Sequence, residues 1–97
     1  MFVSIRKYQN VVSIEEVKNR AEHEFVPLLK QNPGFKAYYL IGATSEGGNI
    51  LTSISIFDSW DAALASNDVA RKFVKDRLAD MLPEPAQAVG GEVILSA

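Results

Sequence analysis

Residues 2–8 (FVSIRKY) alternate, with Val3 and Ile5 on one side and Phe2, Ser4, Arg6 and Tyr8 on the other. A period of two in a run rich in β-branched and aromatic residues predicts a strand. Ser13 with Glu16 three residues later spells a capping box, in which hydroxyl and carboxylate each take up a free backbone N–H. Ile14, Val17, Ala21, Phe25 and Leu28 then recur at helical spacing. Pro27 interrupts this helix, because its ring clashes one turn back and leaves the His23 carbonyl without its usual donor. A kink or tightened turn is predicted near residues 23–27, with the helix ending by Gln31. Asn32-Pro33-Gly34 is a turn.

Residues 35–43 (FKAYYLIGA) and 50–57 (ILTSISIF) read as strands, joined by the glycine-bearing hairpin segment 45–49 (SEGGN). Ser59 is placed to cap a second helix. One face of it carries Trp60, Ala63, Leu64, Asn67, Ala70, Val74, Leu78 and Met81. Ser66-Asn67-Asp68 predicts a break into two segments, and Pro83-Glu84-Pro85 stops the helix. Gly90-Gly91 reads as a bulge, and residues 92–96 (EVILS) as the last strand.

The order β-α-β-β-α-β with right-handed crossovers predicts an α+β, ferredoxin-like domain over residues 1–97. It has a four-stranded antiparallel sheet with both helices on one face. The other face should be polar if it met water. Instead both sides of the strands carry large apolar groups: Phe35, Ala37, Tyr39 and Ile41 against Tyr38 and Leu40, and Ile54 and Ile56 against Leu51 and Phe57. An apolar sheet face of that size calls for a cover, and a second copy presenting the same face is the simplest one. A homodimer through the sheet face is therefore expected. The alternatives are helices that reach further round the sheet, or a face kept wet by Ser4, Ser53 and Ser55.

Composition adds exclusions. Ten basic and twelve acidic residues leave a net charge of −2 with no basic stripe, so neither nucleic acid nor an anionic membrane surface is an expected partner. No apolar run approaches the roughly 18 residues of a membrane span, and residues 2–8 lack the pattern of a signal peptide. The absence of cysteine excludes disulfides and thiolate chemistry and accords with a cytoplasmic setting. Glu15-Glu16 and Glu22/Glu24 offer carboxylates without the further ligands a metal site needs, so no metal and no cofactor is expected.

The strand FVSIRKY, the turn and strand NPGFKAYYL, and the junction SIFDSWDAALASND together resemble the antibiotic-biosynthesis-monooxygenase-like family of dimeric α/β barrels. The resemblance covers nearly the whole chain and lies mainly in scaffold features. It implies a pocket between sheet and helices, and either cofactor-independent oxygenation of aromatic substrates or haem degradation. The haem-degrading branch carries a Trp and a His further along the second helix. That helix has no His here, and the sole Trp sits in its first turn, so no haem ligand is carried over. Among the oxygenases' polar and aromatic pocket residues no motif is specific enough to transfer, and no catalytic residue is assigned.

The candidate ligand-binding residues are Tyr39, Trp60, Asn67, Arg71 and His23. Trp60 could stack on a planar ligand or anchor the second helix to the sheet. Tyr38 and Tyr39 are adjacent and so point to opposite faces. Asn67 and Arg71, one helical turn apart, could hold a ligand carbonyl and stabilise an enolate, or merely cap and solvate the helix. His23, the one histidine, has a ring that titrates near neutrality, but it shares its helix side with Glu16, Asn19 and Arg20, as a solvated face would. Two functions are expected on this basis: a cofactor-independent monooxygenase acting on an aromatic substrate, or a non-catalytic dimer that binds a small ligand or serves a stress or regulatory role. A pocket joining Asn67, Arg71, a tyrosine and Trp60 favours the first. One filled by Phe25, Phe73 and leucines favours the second.

Overall fold

The computed structural model describes all 97 residues. Its elements are β1 (Phe2–Tyr8), α1 (Ile14–Arg20), a π-helical turn (Ala21–Phe25), α2 (Val26–Lys30), β2 (Phe35–Ser45), β3 (Gly48–Phe57), α3 (Trp60–Phe73), a second π-helical turn (Val74–Leu78) and β4 (Gln87–Glu92). The strands form one antiparallel sheet in the order β2-β3-β1-β4. This is the expected ferredoxin-like arrangement, with two helical rods on one face. No helix is long and apolar enough to cross a membrane.

Local chemistry accounts for the element ends. Ser13 Oγ accepts from the Glu16 N–H at 3.2 Å, and Ser59 Oγ accepts from the Ala62 N–H at 3.2 Å. Only half of the capping box forms, because the Glu16 carboxylate turns to Arg20 Nε at 2.9 Å. The irregularity expected around Pro27 is a widened turn just before it. Val26 N–H bonds the Ala21 carbonyl five residues back, so the ladder lengthens by one residue where proline has no N–H to give.

Three expectations are corrected, the first being the bulge at Gly90-Gly91, which instead pair in unbroken register with Ser4 and Val3. α3 runs unbroken through Ser66-Asn67-Asp68, because Ser66 Oγ donates back to the Ala63 carbonyl at 2.7 Å and the Asn67 side chain is occupied across the sheet. The widened turn falls instead at Val74–Leu78. The last strand is Gln87–Glu92, not 92–96. Gln87 to Glu92 pair with Lys7 to Phe2, while Ile94 and Leu95 lie 93% and 85% exposed.

The core fills the space between the helices and the inward sheet face. Phe57, Leu51 and Leu29 are its most buried members. Phe25 stacks on Phe73 with centroids 5.1 Å apart and meets the edge of Tyr38 at 5.6 Å. A bulge between Phe35 and Ala37 changes the parity of β2. Phe35 therefore joins Tyr38 and Leu40 against the core, not Ala37, Tyr39 and Ile41 as strict alternation predicts. Phe35 and Phe57 pack edge to face at 6.1 Å.

The two sheet faces then depart from the usual pattern, with polar groups between the apolar ends of the inward face and apolar groups outside. Ser4, Arg6, Tyr38, Ser53 and Ser55 point toward the helices. The outward face carries the cross-strand row Val89, Ile5, Ile54, Tyr39 and, beside it, Val3, Ile56 and Ala37. Ser4, Ser53 and Ser55 are thus inside and cannot wet the outward face. Nor do the helices reach round to it, since Tyr39, Ile41 and Val89 remain 56%, 50% and 63% exposed.

Candidate functional site

The polar inward residues line a chamber between the sheet and the helices. Its walls are mostly apolar, from Val17, Phe25, Leu29, Leu51, Phe73 and Leu78, and the chamber measures about 40 Å³. A water needs at least about 10–15 Å³ of such space, so the chamber has room for a few waters. Ser4, Arg6, Ser53, Ser55, Tyr38 and Asn67 supply its polar atoms.

Asn67 is the pivot of the wall. Its Oδ1 accepts from Ser4 Oγ and from Arg6 Nη2, both at 3.2 Å, and Arg6 Nη2 also reaches the Asn67 carbonyl at 3.4 Å. Arg6 can only donate, which turns the amide oxygen of Asn67 toward β1 and leaves Nδ2 as an uncommitted donor. The hydroxyls of Tyr38, Ser53 and Ser55 make no hydrogen bond within the protein, and no side-chain nitrogen or oxygen is sealed away from both partner and space. Burial pushes the Tyr38 phenol up to about 12, with a smaller push from Tyr8, so it is a neutral donor at physiological pH.

Outside the Asn67 wall runs a groove of about 500 Å³ between α3 and β4, a size common for ligand sites. Trp60, Ala63, Asn67 and Arg71 of α3 line one side, Arg6 the middle, and Ala86, Ala88 and Gly90 the other. Trp60 is 48% exposed and rests on Phe2 with centroids 5.7 Å apart. A second groove, of about 300 Å³, adjoins at Arg6 and Arg71 and adds Lys75 and the segment Pro83–Ala86.

The structure therefore brings Trp60, Asn67 and Arg71 together in one groove, with Asn67 shared by the chamber. It does not bring Tyr39 or His23 there. Tyr39 lies on the outward face, because the β2 bulge sends Tyr38 inward. His23 is exposed on the first π-helical turn, where Nδ1–H donates to the Asn19 carbonyl at 2.8 Å. The two expected kinds of pocket are both present: Phe25, Phe73 and leucines fill the chamber, and the Trp60–Asn67–Arg71 set forms its mouth without a tyrosine. Tyr38, not Tyr39, is the tyrosine of the adjacent pair that lines the pocket, and Arg6, Ser4, Ser53 and Ser55 were not singled out from the sequence as a site. The available signal was the large residues at the strand ends (Phe2 and Tyr8, Leu51 and Phe57), which mark that parity as the core side.

Away from the chamber, the two helical rods are joined by ion pairs. Arg20 bonds Asp80 at 2.8 Å as well as Glu16, and Arg77 bonds Glu24 at 2.7 Å. These guanidiniums hold the Glu24 and Asp80 carboxyls below their usual range. No group of three or more His, Cys, Asp or Glu side chains gathers to hold a metal ion.

No protein-family model matches the sequence, and no curated protein matches it. Solved structures do match in fold. A Nitrosomonas europaea protein named as an antibiotic biosynthesis monooxygenase superposes with a TM-score of 0.69 at 18% identity, over 98% of this chain and 100% of its own. The Streptomyces coelicolor monooxygenase from the gene ActVA-Orf6, solved with nanaomycin D, gives 0.67 at 18% identity, over 98% and 92%. A variant of MhuD with two manganese protoporphyrin IX molecules per active site gives 0.73 at 20% identity, over 100% and 98%. The chain has the ferredoxin-like α+β architecture, in the form shared by these antibiotic-biosynthesis-monooxygenase-like structures. Its residues do not fit a haem: the chamber is far too small, and the one histidine faces solvent on another helix.

Proposed function

We propose that this protein is a homodimeric, cofactor-independent monooxygenase of a small aromatic substrate, bound in the groove at the Asn67 mouth of the chamber. The observation that carries this is the polar patch in the middle of the inward sheet face. Polar groups are costly to bury without partners, yet between its apolar ends that face carries Ser4, Arg6, Ser53, Ser55 and Tyr38. Such groups, set in apolar walls, are what a site needs to orient a planar ligand by its oxygens. The monooxygenase names of fold neighbours support the same class, as analogy of fold rather than of residues.

The chemistry follows from those groups. Neutral Tyr38 and the free Asn67 Nδ2 donate to a substrate oxygen, and the Arg6 cation favours its ionised, electron-rich form. Dioxygen then reacts with the substrate directly: SH2 + O2 gives SO + H2O, the substrate supplying the electrons. The protein contributes orientation and exclusion of water. A dimer through the outward face belongs to this proposal. Four strands at ~4.8 Å and seven residues at ~3.3 Å span roughly 400 Å², as large as the biggest apolar patch most monomers show. A cytoplasmic setting is the compartment we assign it.

A non-catalytic dimer that binds a small ligand is the second function, favoured by the small closed chamber and the Phe25–Phe73 stack that narrows it. Oxygen uptake with a panel of anthrones, quinols and haem, with and without reductant, separates the two. The monooxygenase predicts uptake with an anthrone or quinol and no reductant. Binding without uptake across the panel assigns the second function.

A further inference from the structure

We propose that the ligand of this site is an aromatic carboxylate, whose acid group is held by Arg6 at the mouth of the chamber, with Arg71 and Lys75 beside it. This rests on the groove at the chamber mouth as the ligand site and adds the charge of its occupant.

The chain has four arginines. Arg20, Arg71 and Arg77 each hold a carboxylate at 2.6–2.9 Å. Arg6 is half-buried and has no carboxylate within reach. Its only bonds are from Nη2 to Asn67, leaving Nε and Nη1 free. A guanidinium presents a planar fork that takes a carboxylate by two parallel bonds, and a half-buried cation without a counter-ion is costly until one arrives. Arg6 also lies on the shared wall of the chamber and both grooves, so one group there is within reach of all three.

Its neighbours have the same sign. Lys75 lines the smaller groove, and Arg71, whose charge is shared with Asp68, lines both, against a single lining acid, Glu84, which already accepts from the Asn10 amide. This local excess stands on a chain whose net charge is −2, so it is not a by-product of a basic composition. Trp60 lies seven residues before Asn67 on α3, about 10 Å along the helix. That separation suits a ligand of two or three fused rings with the acid at one end.

The test uses 2-naphthoate, its methyl ester and 2-naphthol, followed by the fluorescence of Trp60, the sole tryptophan, and by calorimetry. The acid is expected to bind at least tenfold more tightly than the ester or the naphthol. Arg6→Gln should remove that preference, and Arg6→Lys should keep part of it. The double variant Arg71→Gln/Lys75→Gln should weaken the acid severalfold at low salt and little at high salt, and it carries the test if Arg6→Gln does not fold. Equal binding of acid and ester, or a preference that survives Arg6→Gln, overturns the inference and leaves the groove as a neutral-ligand site. Tighter naphthol than naphthoate assigns Arg6 to a phenolate and overturns the carboxylate. Binding of none of the three overturns the groove as the ligand site.

Discussion

Arg6 on β1 and Asn67 on α3 meet at 3.2 Å, Nη2 to Oδ1, and with Ser4 they make the polar tie between the sheet and the second helical rod. The same tie closes the chamber from the groove. Asn67→Ala removes two hydrogen bonds, one to the Asn67 side chain from Ser4 and one from Arg6, and weakens a third, to its carbonyl, by freeing Arg6. Allowing for rehydration, the cost is about 1 kcal/mol, read as a lower urea midpoint with unchanged slope. Ligand association should become faster, because the wall is now open. Slower association would show that Asn67 is part of the binding surface only.

The ion pairs between the helical rods set the acid limb of stability. The Glu24 and Asp80 carboxyls ionise at lower pH when folded than their ordinary values of 4.5 and 3.8, chiefly through the bonds from Arg77 and Arg20. The unfolded chain therefore takes up protons first on acidification. The contribution of these groups is full above their unfolded values and is lost as pH falls below them through the lower folded ones. Melting temperatures across that range should fall more steeply for the wild type than for Arg20→Gln/Arg77→Gln, and the gap should shrink in high salt, since the pairs are exposed.

Tyr38 sets the alkaline limb. Its folded phenol holds its proton to about 12 against an ordinary 10.0, because burial disfavours the phenolate. Between those values the folded state keeps a proton that the unfolded state has released, so raising the pH favours unfolding. Stability should be level up to about pH 10 as far as this group is concerned, then fall by about 2 kcal/mol toward pH 12. Tyr38→Phe should remove that part of the decline, measured by urea unfolding at each pH. A decline identical in Tyr38→Phe would assign it to other groups.

The strand and helix periods, the two serine caps and the proline-glycine turn were enough to specify the element order and the topology. Three features were not legible, each for a physical reason. Residues 92–96 read as a strand by residue type, yet β4 is Gln87–Glu92, because pairing to β1 decides an edge strand more than propensity does. The bulge at Phe35–Ala37 is set by backbone register, so alternation could say that Tyr38 and Tyr39 diverge but not which one meets the core. The importance of Arg6 comes from its lack of an acidic partner, a property of tertiary placement alone. Trp60, Asn67 and Arg71, by contrast, recur on one helix face, and that spacing brought them together in the groove.

The account turns on the outward row Val89, Ile5, Ile54 and Tyr39, an apolar surface on the side of the sheet that no helix covers. Sedimentation velocity at tens of micromolar tests it most directly. A single species at twice the 10.7 kDa chain mass is predicted for the wild type, and a species at the chain mass for Ile54→Glu, with its circular dichroism spectrum retained. A wild-type protein that sediments at 10.7 kDa throughout would contradict it.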